Sequence, residues 1–161
     1  MNIFMCRWKK SKYGLTFILV CMLSSLPLPA GAADITATDL WISAAPPVVR
    51  VNAGYMKLTN NGTDGVILVG AESPRFARIE MHLSEMKSGT YAMHRQYSLL
   101  LEGGKSLTFA PGGLHLMLFD ATQSQKPKEK IPLTLIFADG LRIAVKAEVR
   151  PLQSGAGHHN H

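Results

Sequence analysis

Two apolar runs decide the fold: IPLTLIF at 131–137 and RIAVKAEVR at 142–150, separated by Ala138-Asp139-Gly140-Leu141. Each run is β-branched or leucine-rich and too short for a helix. Asp139-Gly140 supplies the left-handed backbone of a tight reversal, so the pair reads as a β-hairpin. The same grammar extends backwards through the chain. Short runs rich in Val, Ile, Leu, Thr and Tyr fall at 39–44, 51–59, 65–73, 78–84, 90–97, 106–109 and 115–119. Asn60-Asn61-Gly62, Lys87-Ser88-Gly89 and Pro111-Gly112-Gly113 punctuate them with turn chemistry. No window holds a long helical period. Nine strands without room for crossover helices imply an all-β domain with antiparallel pairing, either a sandwich or a barrel.

The ends of the chain are different in kind. Arg7, Lys9, Lys10 and Lys12 precede an apolar stretch at 15–28, followed by Pro29-Ala30-Gly31-Ala32, and no acidic residue occurs before Asp34. This is the form of a cleavable secretory signal, residues 1–32, with cleavage after Ala32. An apolar run of 14 residues falls short of the roughly 20 a membrane-spanning helix needs, so no permanent membrane anchor is expected. Lipid attachment at Cys21 is disfavoured, because Val20 stands where a small residue is usual. The expected location is the periplasm. Residues 33–150 form the single domain, and 151–161 a flexible tail ending in His158, His159 and His161.

Removing the four leader cations from 17 leaves 13 basic against 11 acidic residues. That balance excludes nucleic-acid binding through a charged face. Both cysteines, Cys6 and Cys21, lie in the leader. A mature domain without thiols has no disulfide, no thiol nucleophile, no cysteine-based zinc site and no blue-copper centre.

Four side chains form a spaced set: His82, ten residues, Met93, twenty-one residues, His115, one residue, Met117. On a strand His115 and Met117 leave the same face. If the turn near Lys87-Ser88 centres its hairpin so that opposed residue numbers sum to 175, His82 lies across from Met93. Opposed Cβ atoms are roughly 4.5–5.5 Å apart. One long-range contact between the two pairs then completes a four-ligand cluster. Thioethers are soft and suit Cu(I), imidazole strengthens such a site, and neither forms disulfides in an oxidising compartment. A cysteine-free His/Met set is what an exported Cu(I) carrier would use. Met81, Met86 and the three tail histidines are accessory candidates. Met81 is expected to face the core, Met86 the hairpin tip, and the tail to offer Cu(II) chelation. His94 is expected to point away from the site, Met56 and Trp41 to pack.

The spaced set resembles the ligand motif of the PCuAC family of periplasmic Cu(I) chaperones. Arg78-Ile79-Glu80-Met81-His82 is similar to the family's approach to its first ligand, and 111–118 (PGGLHLML) to the segment around its last two. Residues 132–137 with Asp139-Gly140 resemble its closing hairpin; Trp41 and 52–56 (NAGYM) resemble its opening strands. The resemblance spans residues 39–150. It implies a cupredoxin-like antiparallel β-sandwich of Greek-key form, with Cu(I) bound by His82, Met93, His115 and Met117. It further implies a non-enzymatic monomer that delivers copper to a cytochrome c oxidase copper subunit or its assembly factor. A copper redox or electron-transfer protein, and a storage or purely structural sandwich, are the rival readings.

Overall fold

The computed structural model describes residues 34–44, 49–87 and 89–151. The expected leader, with Cys6 and Cys21, and the tail histidines His158, His159 and His161 lie outside the described residues. Ten strands follow in order: β1 Ile35–Ala44, β2 Val51–Asn60, β3 Val66–Glu72, β4 Phe76–Lys87, β5 Thr90–Gln96, β6 Leu99–Leu101, β7 Ser106–Phe109, β8 Leu114–Ala121, β9 Lys130–Phe137 and β10 Arg142–Pro151. No helix occurs among the described residues.

The β9–β10 hairpin pairs from Arg142↔Ile136 to Glu148↔Lys130. At its turn Gly140 takes φ +89°, and the Leu141 amide donates to Asp139 Oδ1 at 2.9 Å. That is the local bonding for which Asp and Gly are favoured there. Along β9 burial alternates, with Ile131, Leu133, Leu135 and Phe137 inside. From this hairpin the sheet runs β5-β4-β8-β7-β2-β1-β10-β9-β3-β6, and β8 also pairs with β2. The ten strands fold over as a cupredoxin-like β-sandwich. Residues from nine of them, among them Ile42, Leu58, Leu101, Leu118 and Phe137, meet in one buried cluster. A flat sheet offers no such common interior.

Three features depart from the sequence reading. The pairing is not wholly antiparallel: β1 runs parallel to β10 (Trp41↔Glu148 to Ala44↔Pro151), and β7 meets β8 in parallel at Phe109↔Leu114. The first and last strands lie side by side, so their direction is set by the return of the whole chain rather than by a local turn. Pro151, assigned to the tail from composition, is therefore the last strand residue. The third departure is β6. Leu99-Leu100-Leu101 is a strand in which Leu101 is buried and Leu100 is 58% exposed; an exposed leucine hides the alternation. Asn60 secures it, its Nδ2 donating to the carbonyls of Leu101 (3.2 Å) and Asp64 (2.7 Å).

Two local devices shape β2 and its neighbours, one on each face. Asp39 adopts φ +49° within a β-bulge, where the register jumps from Thr38↔Lys57 to Trp41↔Tyr55. The extra residue turns Trp41 outward onto Tyr55, ring centroids 4.4 Å apart, so the indole packs on this face rather than in the core. Gly54 lets β2 approach β8 closely, since a Cβ there would sit 3.0 Å from Leu118 Cδ1. Truncating Leu118 to Ala should cost about 2–5 kcal/mol. Leu100→Ala, on the exposed side of β6, should stay within about 0.5 kcal/mol. Urea denaturation of both variants measures the contrast.

Candidate metal centre

The β4–β8 ladder runs Phe76↔Ala121 through Glu80↔Met117 and His82↔His115. Because alternate residues share a face, Met81 and Leu116 point into the core while Glu80, His82, His115 and Met117 stand together on the opposite face. The two imidazoles are direct cross-strand neighbours, ring centroids 6.0 Å apart and inclined by 34°. Met117 also lies opposite Ala53 of β2.

The fourth residue arrives by a different register from the one its spacing implies. Lys87 pairs with Thr90 and Gly89 has φ +79°, so opposed numbers in the β4–β5 hairpin sum to 177. Met93 therefore faces Ser84, and Arg95 faces His82. A shift of two preserves the face but moves Met93 one same-face position along, making it a diagonal neighbour of His82 at about 7–8 Å rather than a direct partner.

Met93, His115 and Met117 line a cleft of about 450 Å³ together with Asn52, Tyr55, Ser84 and Gly112. His82 is not part of that lining and stands beside it through its pairing with His115. Exposure is graded across the set: His115 is 7% and Met93 53% accessible. One wall is braced by Asn52, whose Nδ2 donates to the Ser43 carbonyl and to Gln125 Oε1, both at 2.7 Å. Burial also raises the Tyr55 hydroxyl pKa.

Hydrogen bonds orient both rings. His115 Nδ1 bonds the Gly113 carbonyl at 2.9 Å. A carbonyl only accepts, so Nδ1 carries the proton and Nε2 is left with its lone pair. His82 Nε2 bonds Glu80 Oε2 at 2.9 Å, and its Nδ1 is buried without a partner. Glu80 also accepts from Arg78 Nε (2.9 Å) and Arg95 Nη1 (3.1 Å). The His82 hydrogen bond, and after it the two guanidinium groups, hold its carboxyl below the ordinary glutamate range. Sequence reading passed over Glu80, although Glu-x-His on a strand places both side chains on one face.

The remaining candidates separate from this group. Met81 is 2% exposed and belongs to the core, as expected of a residue adjacent to His82 on a regular strand, and this removes it from the accessory thioethers. Met86 opposes Tyr91 near the hairpin tip, on the site's face but outside the cleft lining. His94 points away from the site, 3.8 Å from Glu85, and Met56 is buried.

Chemically, the donors beside the cleft that are not taken up in ion pairs are two imidazoles and two thioethers; the Glu80 carboxylate on the same face is engaged by Arg78 and Arg95. Among the described residues no three His, Cys, Asp or Glu side chains converge as a metal cage, so a hard cation has no such site there. A buried ring nitrogen without a partner and two soft sulfurs fit a soft monovalent ion. Glu80 also carries a stability consequence. Its lowered pKa contributes stability above the ordinary glutamate value, and that contribution is lost as pH falls through the folded-state pKa. Glu80→Gln should therefore lower stability at neutral pH and flatten its decline under acid, seen as a shallower dependence of the urea midpoint on pH.

Comparison with known proteins bears on both fold and lineage. The copper-bound PCuAC domain from PmoF2 superposes with a TM-score of 0.63 at 22% identity, covering 74% of this chain and 96% of that domain. The Cu(I) form of DR1885 from Deinococcus radiodurans superposes with a TM-score of 0.55 at 28% identity, covering 78% and 81%. PCuAC domains thus enter as structural neighbours, whereas the family model that matches, over residues 35–149, is described as "Putative lipoprotein LpqE-like". A relative from Leifsonia xyli subsp. xyli, "Putative lipoprotein Lxx21020", is 32% identical over 145 residues, 89% of this chain and 86% of its own length. By the extent of both matches, the chain belongs to the LpqE-like family.

Proposed function

We propose that this protein is an exported, non-enzymatic Cu(I) carrier that binds the ion through His82, Met93, His115 and Met117 and passes it to a partner. The observation that carries the reading is the cross-strand His82–His115 pair with two thioethers on the same face, beside an open cleft. Imidazole and thioether together suit cuprous ion. Graded exposure suits transfer, because an acceptor's ligands can displace the outer Met93 before the buried His115. Likeness to DR1885, which is described in its Cu(I) form, supports the same choice of metal. The acceptor we propose is a copper subunit of cytochrome c oxidase or its assembly factor, reached by the carrier as a monomer. The tail histidines His158, His159 and His161 would add a Cu(II) site of imidazole donors.

Export places the domain at the cell envelope, the periplasm in a two-membrane cell. The basic and apolar leader of residues 1–32 supports export, and the family's description as a lipoprotein favours lipid attachment at Cys21 as a second reading beside free release after Ala32. The mass of the mature chain separates them: a diacylglyceryl-modified product beginning at Cys21, abolished by Cys21→Ala, or an unmodified one beginning at Ala33.

Anaerobic Cu(I) titration against a chromophoric competitor tests the carrier reading. The protein should bind one equivalent at the His/Met site. Met117→Ala and Met93→Ala should each weaken binding by at least tenfold while leaving a folded domain, with the deeper Met117 costing more. Wild-type affinity in both variants would sink the assignment. X-ray absorption of the loaded protein should count two sulfur and two nitrogen or oxygen neighbours.

A further inference from the structure

We propose that Glu80 is a positioning residue that fixes the tautomer of His82, so that His82 donates to the metal through Nδ1 whereas His115 donates through Nε2. The proposal rests on the copper-carrier reading and assigns, within that site, which atoms form the bonds.

Glu80 sits two residues before His82 on β4, on the same face, with Oε2 2.9 Å from His82 Nε2. Its other carboxylate oxygen is gripped by Arg78 Nε at 2.9 Å and Arg95 Nη1 at 3.1 Å. Arg78 is itself stationed over the Phe119 ring, 3.8 Å from its centroid. Arg95 is the cross-strand partner of His82. A carboxylate facing two guanidinium groups is an acceptor, so the proton between it and the imidazole resides on Nε2. In a neutral ring the lone pair must then be on Nδ1. That nitrogen is buried and has no partner, a costly arrangement unless something else engages it. His115 is held in the opposite sense, Nδ1 toward the Gly113 carbonyl at 2.9 Å. The two rings are thus fixed by acceptors at opposite nitrogens. Metal-ligating histidines usually have their second ring nitrogen tied in this way, and losing the tie typically costs about 10–100-fold in metal affinity.

Multiple-bond ¹H–¹⁵N correlation of the histidine side chains in the metal-free protein reads the tautomers directly. We expect His82 protonated at Nε2 and His115 at Nδ1. Anaerobic addition of Cu(I) should then shift His82 Nδ1 and His115 Nε2, together with the Met93 and Met117 methyl signals. Glu80→Ala should mix the His82 tautomers and lower Cu(I) affinity about 10–100-fold. Glu80→Gln keeps the shape of the side chain, but its one oxygen must face the donor-only guanidinium groups of Arg78 and Arg95, which turns its NH2 toward Nε2. It should shift His82 toward the Nδ1-protonated tautomer and weaken Cu(I) binding as Glu80→Ala does. Movement of the methionine methyls with a copper shift at His82 Nε2, or a His82 protonated at Nδ1 before loading, overturns the proposal and leaves the carrier reading intact. No copper-induced shift at any of the four residues overturns the carrier reading and the proposal with it.

Discussion

The antiparallel register of β4 against β8 is the constraint from which the rest of the site follows. It sets His82 opposite His115 and Glu80 opposite Met117 on the outer face. The inner face of the same ladder carries Met81, Leu116 and Leu118, all buried. Slipping either strand by one residue would drive those apolar side chains into water and bring the imidazoles into the core. The hydrophobic effect therefore holds the ligand geometry in place although none of the ligands contributes to the hydrophobic cluster. A site built on strands this tightly registered is preorganised before any metal arrives.

Around that ladder, rigidity and access are divided between elements. His115 is buried, tied to Gly113, and backed by β2, whose Gly54 permits close approach to β8. Met93 sits on β5, the outermost strand at one end of the sheet order, and is half-exposed. An anchored imidazole and an accessible thioether have different consequences for exchange: the first sets where a metal rests, the second where an incoming ligand can first compete. The charged groups beside the cleft are organised too. Arg78 and Arg95 converge on the single carboxylate of Glu80 in a compact cluster adjoining His82.

Much of this was legible from residue order. Nine of the ten strands follow from short apolar runs and their turn residues, and His115-x-Met117 shares a face by the pleat alone. The hairpin partner of Met93 was not legible, because Lys87-Ser88-Gly89 accommodates more than one loop length and each length changes the register. Lys87↔Thr90 pairing selects the sum of 177, which retains the face and alters the neighbour. The strand at Leu99–Leu101 was hidden by an exposed leucine among buried ones. Glu80 was visible as a residue but not as a role, since its partners Arg78 and Arg95 come from two strands and act only once these are paired.

Residue order alone determined the strand-rich class, the absence of thiols beyond Cys21 and the soft character of the four donors. These depend on local pattern and side-chain chemistry, which need no long-range contact. Tertiary structure decided that β4 lies against β8, that the two imidazoles face each other, that Met81 is core while Met93 is rim, and that a clamped carboxylate sits beside His82. Each of those is a pairing between distant segments, and a pleated strand carries no mark of which neighbour it will meet until the common core selects one.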